Sequence, residues 1–357
     1  MTLDHLAGAA VLTARQIERT ATGILALQRP DGAIPWFHGH KLDPWDHVEA
    51  AMALDAAGQH SAARSAYRWL AGAQNEDGSF HAEYADSPGG ISEPVDLIKD
   101  ANFTAYAAVG AYHHYVATGE PGILKELWPT VARAVDFVIG LQRPDGAIRW
   151  HPGSSEALLT GCSSMYLSLR CALAAAEVLG EGRPDWELAA VELGHALNAH
   201  PEAFTPKERY SMDWYYPVLG TALRGPAAHG RILAGWNRFV EPGYGVRCVA
   251  DQPWVTGGES FELAIALWAI GRAGAARRVA AQASACLRDC DGMYWTGYVF
   301  TDKAVWPEEK TGWTAGSALL ALAVLGGEPA SSAVFGGALP EIPPVNCVAE
   351  GCIAAAR

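Results

Sequence analysis

Carboxylates and indoles recur together along the chain, at the points where apolar periodic segments begin. One cluster holds Trp36, His38, His40, Asp43, Trp45, Asp46, His47 and Glu49. A second holds Asp96, Asp100 and Asn102, and a third Trp150, His151 and Glu156. Asp213, Trp214 and Tyr215 make a fourth, and Trp254, Glu259 and Glu262 a fifth. The sixth carries Asp302, Trp306, Glu308, Glu309 and Trp313. This pairing suits carbohydrate, because sugar rings offer C–H faces to aromatics and hydroxyls to carboxylates. Glycosidic cleavage needs two carboxyl groups in different protonation states. Burial beside an indole raises one of them, so that it serves as general acid.

Each candidate has a plainer structural alternative. Glu156 follows Ser154 and Ser155 at a predicted helix start, where a first-turn acid simply complements the helix dipole. Glu308 and Glu309 precede the last apolar segment, as opposing base or as a solvated pair. Asp46 with Glu49, and Glu259 with Glu262, are spaced i, i+3, so each pair shares one helix face. Glu259 falls nearer the helix start, and Glu262 reads as the buried structural acid. Asp96 and Asp100 share a face before Asn102, and Asp213 could be a helix-start acid. His38, His40 and His47 form too weak a pattern for a metal site, so no metal and no cofactor is expected.

The elements that must position these groups follow from an internal repeat. LALQRPDGAIPW (25–36), LAGAQNEDGSF (70–80), IGLQRPDGAIRW (139–150) and the degraded ACLRDCDGMYW (285–295) each join a helix end to an Asp-Gly turn and an aromatic. Amphipathic segments near 6–28, 60–74, 122–142, 185–199, 227–239 and 274–290 alternate with apolar, Ala-rich ones near 46–57, 101–117, 156–179, 213–223, 259–271 and 313–325. Six such hairpins close into an all-α (α/α)6 toroid, with apolar helices inside and amphipathic helices outside. Residues 1–327 are read as this single domain, and the Gly- and Pro-rich 328–357 as an extended tail. Inner-to-outer links are tight and outer-to-inner links are long, so the candidate residues gather at one mouth. Trp45, Trp214, Trp254, Trp306 and Trp313 belong there, with Asp46, Glu49, Asp96, Asp100, Asp213, Tyr215 and Glu259 as further substrate contacts.

Composition narrows the partners. Lys+Arg is 26 against Asp+Glu 39, a formal net charge of −13. Phosphate backbones need clustered cations, so nucleic acid and anionic membranes are poor partners. No apolar run is long enough to span a membrane. The start lacks a basic segment followed by an apolar one, and seven scattered cysteines fit a reducing cytoplasm.

Two families share parts of this pattern. QNEDGSF resembles the Gln-Trp repeat of the terpenoid cyclase and protein prenyltransferase toroids, over Gln74–Phe80 and, with a longer turn, Gln28–Trp36 and Gln142–Trp150. That resemblance implies carbocation or diphosphate chemistry, but no DxDD string occurs and the last inner segment lacks Cys and His. The segment 100–150, with Asp100-Asn102 opening an inner helix and WPTV in the next outer one, is similar to six-hairpin, glucoamylase-like glycosidases. That resemblance implies a general acid at Glu156 and a base at Asp302, Glu308 or Glu309. The expectation is a glycoside hydrolase acting on a small glycoside or oligosaccharide with Glu156 as acid and Glu308 or Glu309 as base. The alternatives are a terpenoid-type enzyme and a non-catalytic toroid that binds sugar or peptide.

Overall fold

The computed structural model describes residues 11–85 and 92–342. The first ten residues, Cys347, Cys352 and the second half of the expected tail, 343–357, lie outside the described residues. Six hairpins follow one another: α1 (Ala14–Leu27) and α2 (Pro44–Ala56); α3 (His60–Ala73) and the divided α4 (Ala101–Ala105) and α5 (Ala107–Thr118); α6 (Pro121–Ile139) and α7 (Leu159–Leu179); α8 (Pro184–Ala199) and α9 (Ser211–Leu219); α10 (Gly225–Phe239) and α11 (Gly257–Ala269); α12 (Ala273–Leu287) and α13 (Gly312–Gly326). The inner helices form a closed cycle of neighbours, α2 to α5, α7, α9, α11, α13 and back to α2. Outer helices seat in the grooves between them: α3 against α2 and α5, α6 against α5 and α7, α12 against α11 and α13.

The division of labour follows burial. α7 is buried at every position from Cys162 to Ala176, whereas α1 buries only Thr20, Ala21, Ile24 and Leu27 on one stripe. Among the described residues α7 alone is long and apolar enough to cross a membrane, and it is the core helix of the ring. Burial on nearly every side explains why its composition passes that test.

The repeat locks each outer helix to the next. Gln28, Gln74 and Gln142 each donate one side-chain amide to the turn glycine's carbonyl and to a carbonyl of the following outer helix, all at 2.9–3.0 Å. The turn glycines are left-handed, and a Cβ on Gly78 would sit 2.2 Å from the Arg133 carbonyl oxygen. In the degraded copy Arg288 replaces Gln, and its guanidinium donates to the Gln16 carbonyl at 3.1 Å. Thr20 adds a hydrogen bond to the Gly292 carbonyl at 2.7 Å. That fourth turn therefore closes the ring onto α1.

Two features differ from the sequence reading. Where loops are expected at 240–258 and 291–312, a five-stranded antiparallel meander forms from β3 (Val240–Glu241), β4 (Gly245–Arg247), β5 (Trp254–Thr256), β6 (Gly297–Val299) and β7 (Ala304–Val305), while the second long link carries β1 (Glu83–Tyr84) and β2 (Pro94–Asp96). Strands of two or three residues are too short to show a period of two. Within the expected tail, α14 (Pro329–Phe335) is capped by Glu328 and packs on α5.

Candidate active site

The centre of the ring is built from two i, i+3 acid pairs on inner helices. Asp43 caps α2, accepting the Asp46 amide at 2.9 Å and the Trp36 indole at 2.8 Å, and Pro44 fixes the first turn. This sets Asp46 in the first turn and Glu49 in the next, both pointing along one face. On α11, Gly257 and Gly258 open the helix; a Cβ on Gly258 would meet the Trp313 ring at 2.3 Å, so the glycine admits that indole against the backbone. Glu259 and Glu262 follow.

The deeper member of each pair is fully partnered. Glu49 accepts from Trp45 Nε1 at 2.9 Å and Tyr106 OH at 3.0 Å. Burial pushes its carboxyl up to about 7, against these hydrogen bonds and one from Trp313. Glu262 accepts from the Tyr215 hydroxyl and from Tyr216 OH at 3.0 Å. Burial, then the Glu49 charge, hold it well above the ordinary range. The members nearer the mouth are not saturated. Asp46 is half-buried with no side-chain partner among the described residues. Burial and the charges of Asp43, Glu49 and Glu262 raise it well above a normal aspartate. Glu259 is buried, with Oε2 lacking a partner. Such a constellation can keep one carboxyl protonated beside another that ionises.

Trp45 bridges this cluster to a side cavity. Its ring stands edge-on to Tyr216 at 5.5 Å and to Phe103 at 5.9 Å. The cavity, about 200 Å³, is lined by Trp45, Asp100, Phe103, Trp150, Thr160 and Met165. Asp100 caps α4, accepts the Phe103 amide at 3.0 Å and the Trp150 indole, and is raised by burial to about 6. Asn102 Oδ1 is buried without a partner in the same wall.

The structure does not bring the remaining predicted residues to this centre. Glu156 is exposed in the link before α7, which begins at Leu159 rather than at 156, so Glu156 is not a first-turn residue. Glu308 and Glu309 line a separate groove with Gly23, Phe37 and Trp295 against α1, and Asp302 is exposed. Asp96 lies on β2, where it accepts the Ile98 amide at 3.0 Å. Trp254 and Trp306 pack edge to face at 5.1 Å on the sheet, and Trp306 is 57% exposed. Trp214 turns outward, stacking on Phe239 of α10 at 5.3 Å and donating to the Arg231 carbonyl at 2.8 Å. Asp213 accepts from Thr160 Oγ1 at 2.6 Å and borders an outer cavity with Trp214. Tyr215 is wholly buried and serves Glu262. The sequence reading sets Glu262 aside as structural and places Tyr216 with Tyr215 at the mouth, but does not single out Tyr106, which lies inside the expected apolar segment 101–117 without a neighbouring acid to mark it. Among the described residues no group of three His, Cys, Asp or Glu side chains is arranged to hold a metal.

A closed double ring with an aromatic, four-carboxylate centre is the architecture of a toroidal glycoside hydrolase. Four carboxyl groups clustered at the centre also count against a terpenoid substrate, whose chemistry asks for a dry aromatic pocket. No protein-family model matches the chain. Solved structures share its fold: a variant glycosidase in complex with glucose aligns with a TM-score of 0.70 at 15% identity, covering 88% of this chain and 96% of that one. A mannosylglycerate hydrolase of family GH63 from Thermus thermophilus aligns with a TM-score of 0.67 at 13% identity, covering 86% and 99%. In sequence, the chain is 49% identical over 340 residues to the MMP endo-(1,4)-3-O-methyl-α-D-mannosidase of Mycolicibacterium hassiacum, covering 94% of this chain and 93% of that protein. The chain belongs to the family of that mannosidase and is a glycoside hydrolase.

Proposed function

We propose that the chain cleaves internal α-(1,4) linkages of 3-O-methylmannose oligosaccharides, with Asp46 as general acid and Glu262 as the opposing carboxylate. The observation that carries the reading is the Asp46 carboxyl: half-buried, unpartnered and raised by burial and by three neighbouring acids, one of them Glu262. A protonated Asp46 donates to the glycosidic oxygen as the bond to the anomeric carbon breaks. Burial and the Glu49 charge raise Glu262 as well, so the acids share protons; with Asp46 holding one, the two tyrosine hydroxyls favour Glu262 as the carboxylate that activates water or attacks that carbon. Glu262 is preferred to Glu259 because its charge is among those that raise Asp46. The substrate rests on the relative's specificity. The cavity of Trp45, Phe103 and Met165 offers an apolar seat for a methoxy group beside the acids. Cytoplasmic residence is supported by the described cysteines, Cys162, Cys171, Cys248, Cys286 and Cys290, all free thiols.

The test is turnover of 3-O-methylmannose and unmethylated mannose oligosaccharides by Asp46→Asn, Glu262→Gln, Glu259→Gln and Glu156→Gln. The first two should lose about 10³-fold or more in kcat while still binding substrate. Glu156→Gln should stay near wild type. Loss of turnover in Glu156→Gln with retained activity in Asp46→Asn would overturn the assignment. Binding of the oligosaccharide by wild-type protein without cleavage would favour the binding-only toroid.

A further inference from the structure

Beneath α9 the ring wall stops short. α9 has 9 residues against 21 in α7, so the chain turns into α10 early and leaves a gap. That gap is a cavity of about 460 Å³ lined by Tyr166 and Arg170 of α7, Asn198 of α8, Thr221 and Arg224 after α9, and Ile342. Arg170 is 5% exposed. It donates to Thr221 Oγ1 at 2.5 Å, the Leu339 carbonyl at 2.8 Å and the Pro340 carbonyl at 3.2 Å, all neutral acceptors. Arg224 has Nη2 buried with no acceptor. Burial, then repulsion by Arg170, lowers its guanidinium to about 10. Among the described residues no carboxylate pairs with either guanidinium, and Glu341 at the rim is exposed and bonded to neither.

Two adjacent, desolvated cations without a counter-charge are costly. The cost is conspicuous in a chain with 39 acidic residues against 26 basic ones, where carboxylates abound for pairing. A bound anion removes it, and guanidinium forks match the planar oxygens of carboxylate and the tetrahedral ones of phosphate. We propose that this cavity is a binding site for a small anion bearing a phosphate or carboxylate group, held between Arg170 and Arg224 and separate from the acid centre. The volume exceeds what a bare ion needs, so the ligand is an organic phosphate or acid with Asn198, Thr221 and Tyr166 available to its other polar groups.

Thermal unfolding with inorganic phosphate and with citrate, each against sodium chloride at equal ionic strength, tests this. At least one should raise Tm saturably, by about 3–4 °C near a hundredfold excess over Kd. Arg224→Gln should abolish the rise while leaving oligosaccharide turnover unchanged. Equal rises in wild type and Arg224→Gln, or none with either anion, would overturn the proposal. Should Arg224→Gln fail to fold, hydrogen exchange of the unmodified protein decides. Protection on adding the effective anion must appear at 194–198 and 220–225, and protection confined elsewhere sinks the site.

Discussion

Glu49 and Asp55 both lie on α2 and respond to burial in opposite ways. Glu49 is raised from 4.5 to about 7, so the fold holds its neutral form more tightly than the unfolded chain does. Stability from this group is complete below pH ~4.5 and is lost as pH rises through about 7, a total of about 3 kcal/mol. Urea unfolding of Glu49→Gln should therefore show a flatter loss of stability between pH 5 and 8 than wild type, by roughly that amount. Asp55 is lowered from 3.8 to about 2: burial alone would raise it, but the imidazoles of His113 and His114 prevail, with His114 Nδ1 at 2.9 Å. Its contribution is present above the ordinary aspartate range and is lost as pH falls toward 2. Asp55→Asn should cost about 3 kcal/mol at pH 7, read as a lower denaturation midpoint with an unchanged slope. The i, i+3 spacing of Asp46 with Glu49 and of Glu259 with Glu262 was legible in the sequence. So was the order of the second pair, with Glu262 the buried acid; what holds the deep carboxyls was not, because it depends on tyrosines beside α5 and on α9 brought close only by the ring.

At the scale of elements, the Asp-Gly turns were readable because their glycines must be left-handed and their glutamines are fixed in spacing. What they grip was not readable, since the Thr130 and Arg133 carbonyls lie far downstream of Gln74 and Gly78. The two roles of glycine separate experimentally. Gly58 is left-handed with φ +77 and open space at its Cβ position, so Gly58→Ala meets only backbone strain, about 1 kcal/mol. Gly78 has φ +90 and a Cβ position 2.2 Å from the Arg133 carbonyl oxygen, so strain and a clash with backbone combine. Gly78→Ala should cost about 2–4 kcal/mol and loosen α6, seen as faster amide exchange around 130–133. Equal costs for the two variants would refute the wedge. Helix starts were harder to place. α7 begins three residues after the expected start, and that displacement is why Glu156 reads as a helix-start acid in sequence and stands exposed in the structure.

For the whole molecule, alternation of six amphipathic and six apolar segments left few architectures open, because every apolar helix needs two neighbours and a ring supplies them without ends. The meander was hidden, since β5 and β6 pair residues far apart in the chain, Trp254 with Val299. The acidic excess also acts on the molecule as a whole. The net charge of −13, carried by the ordinary surface carboxylates rather than by the raised Asp46, Glu49 and Glu262, sets a negative potential that an incoming substrate meets. A neutral oligosaccharide is indifferent to that field, whereas an anionic one is repelled over a Debye length that shrinks with salt. Between about 20 and about 500 mM NaCl, kcat/KM for a neutral 3-O-methylmannose oligosaccharide should change by less than about twofold. An analogue oxidised to a uronate away from the scissile bond should gain about tenfold over the same range, through its association rate. A salt-independent uronate would mean that cations screen the mouth from within. Lys41 is the cation whose charge reaches Asp43 and Asp46, and its ion pair with Glu83 argues that it does not.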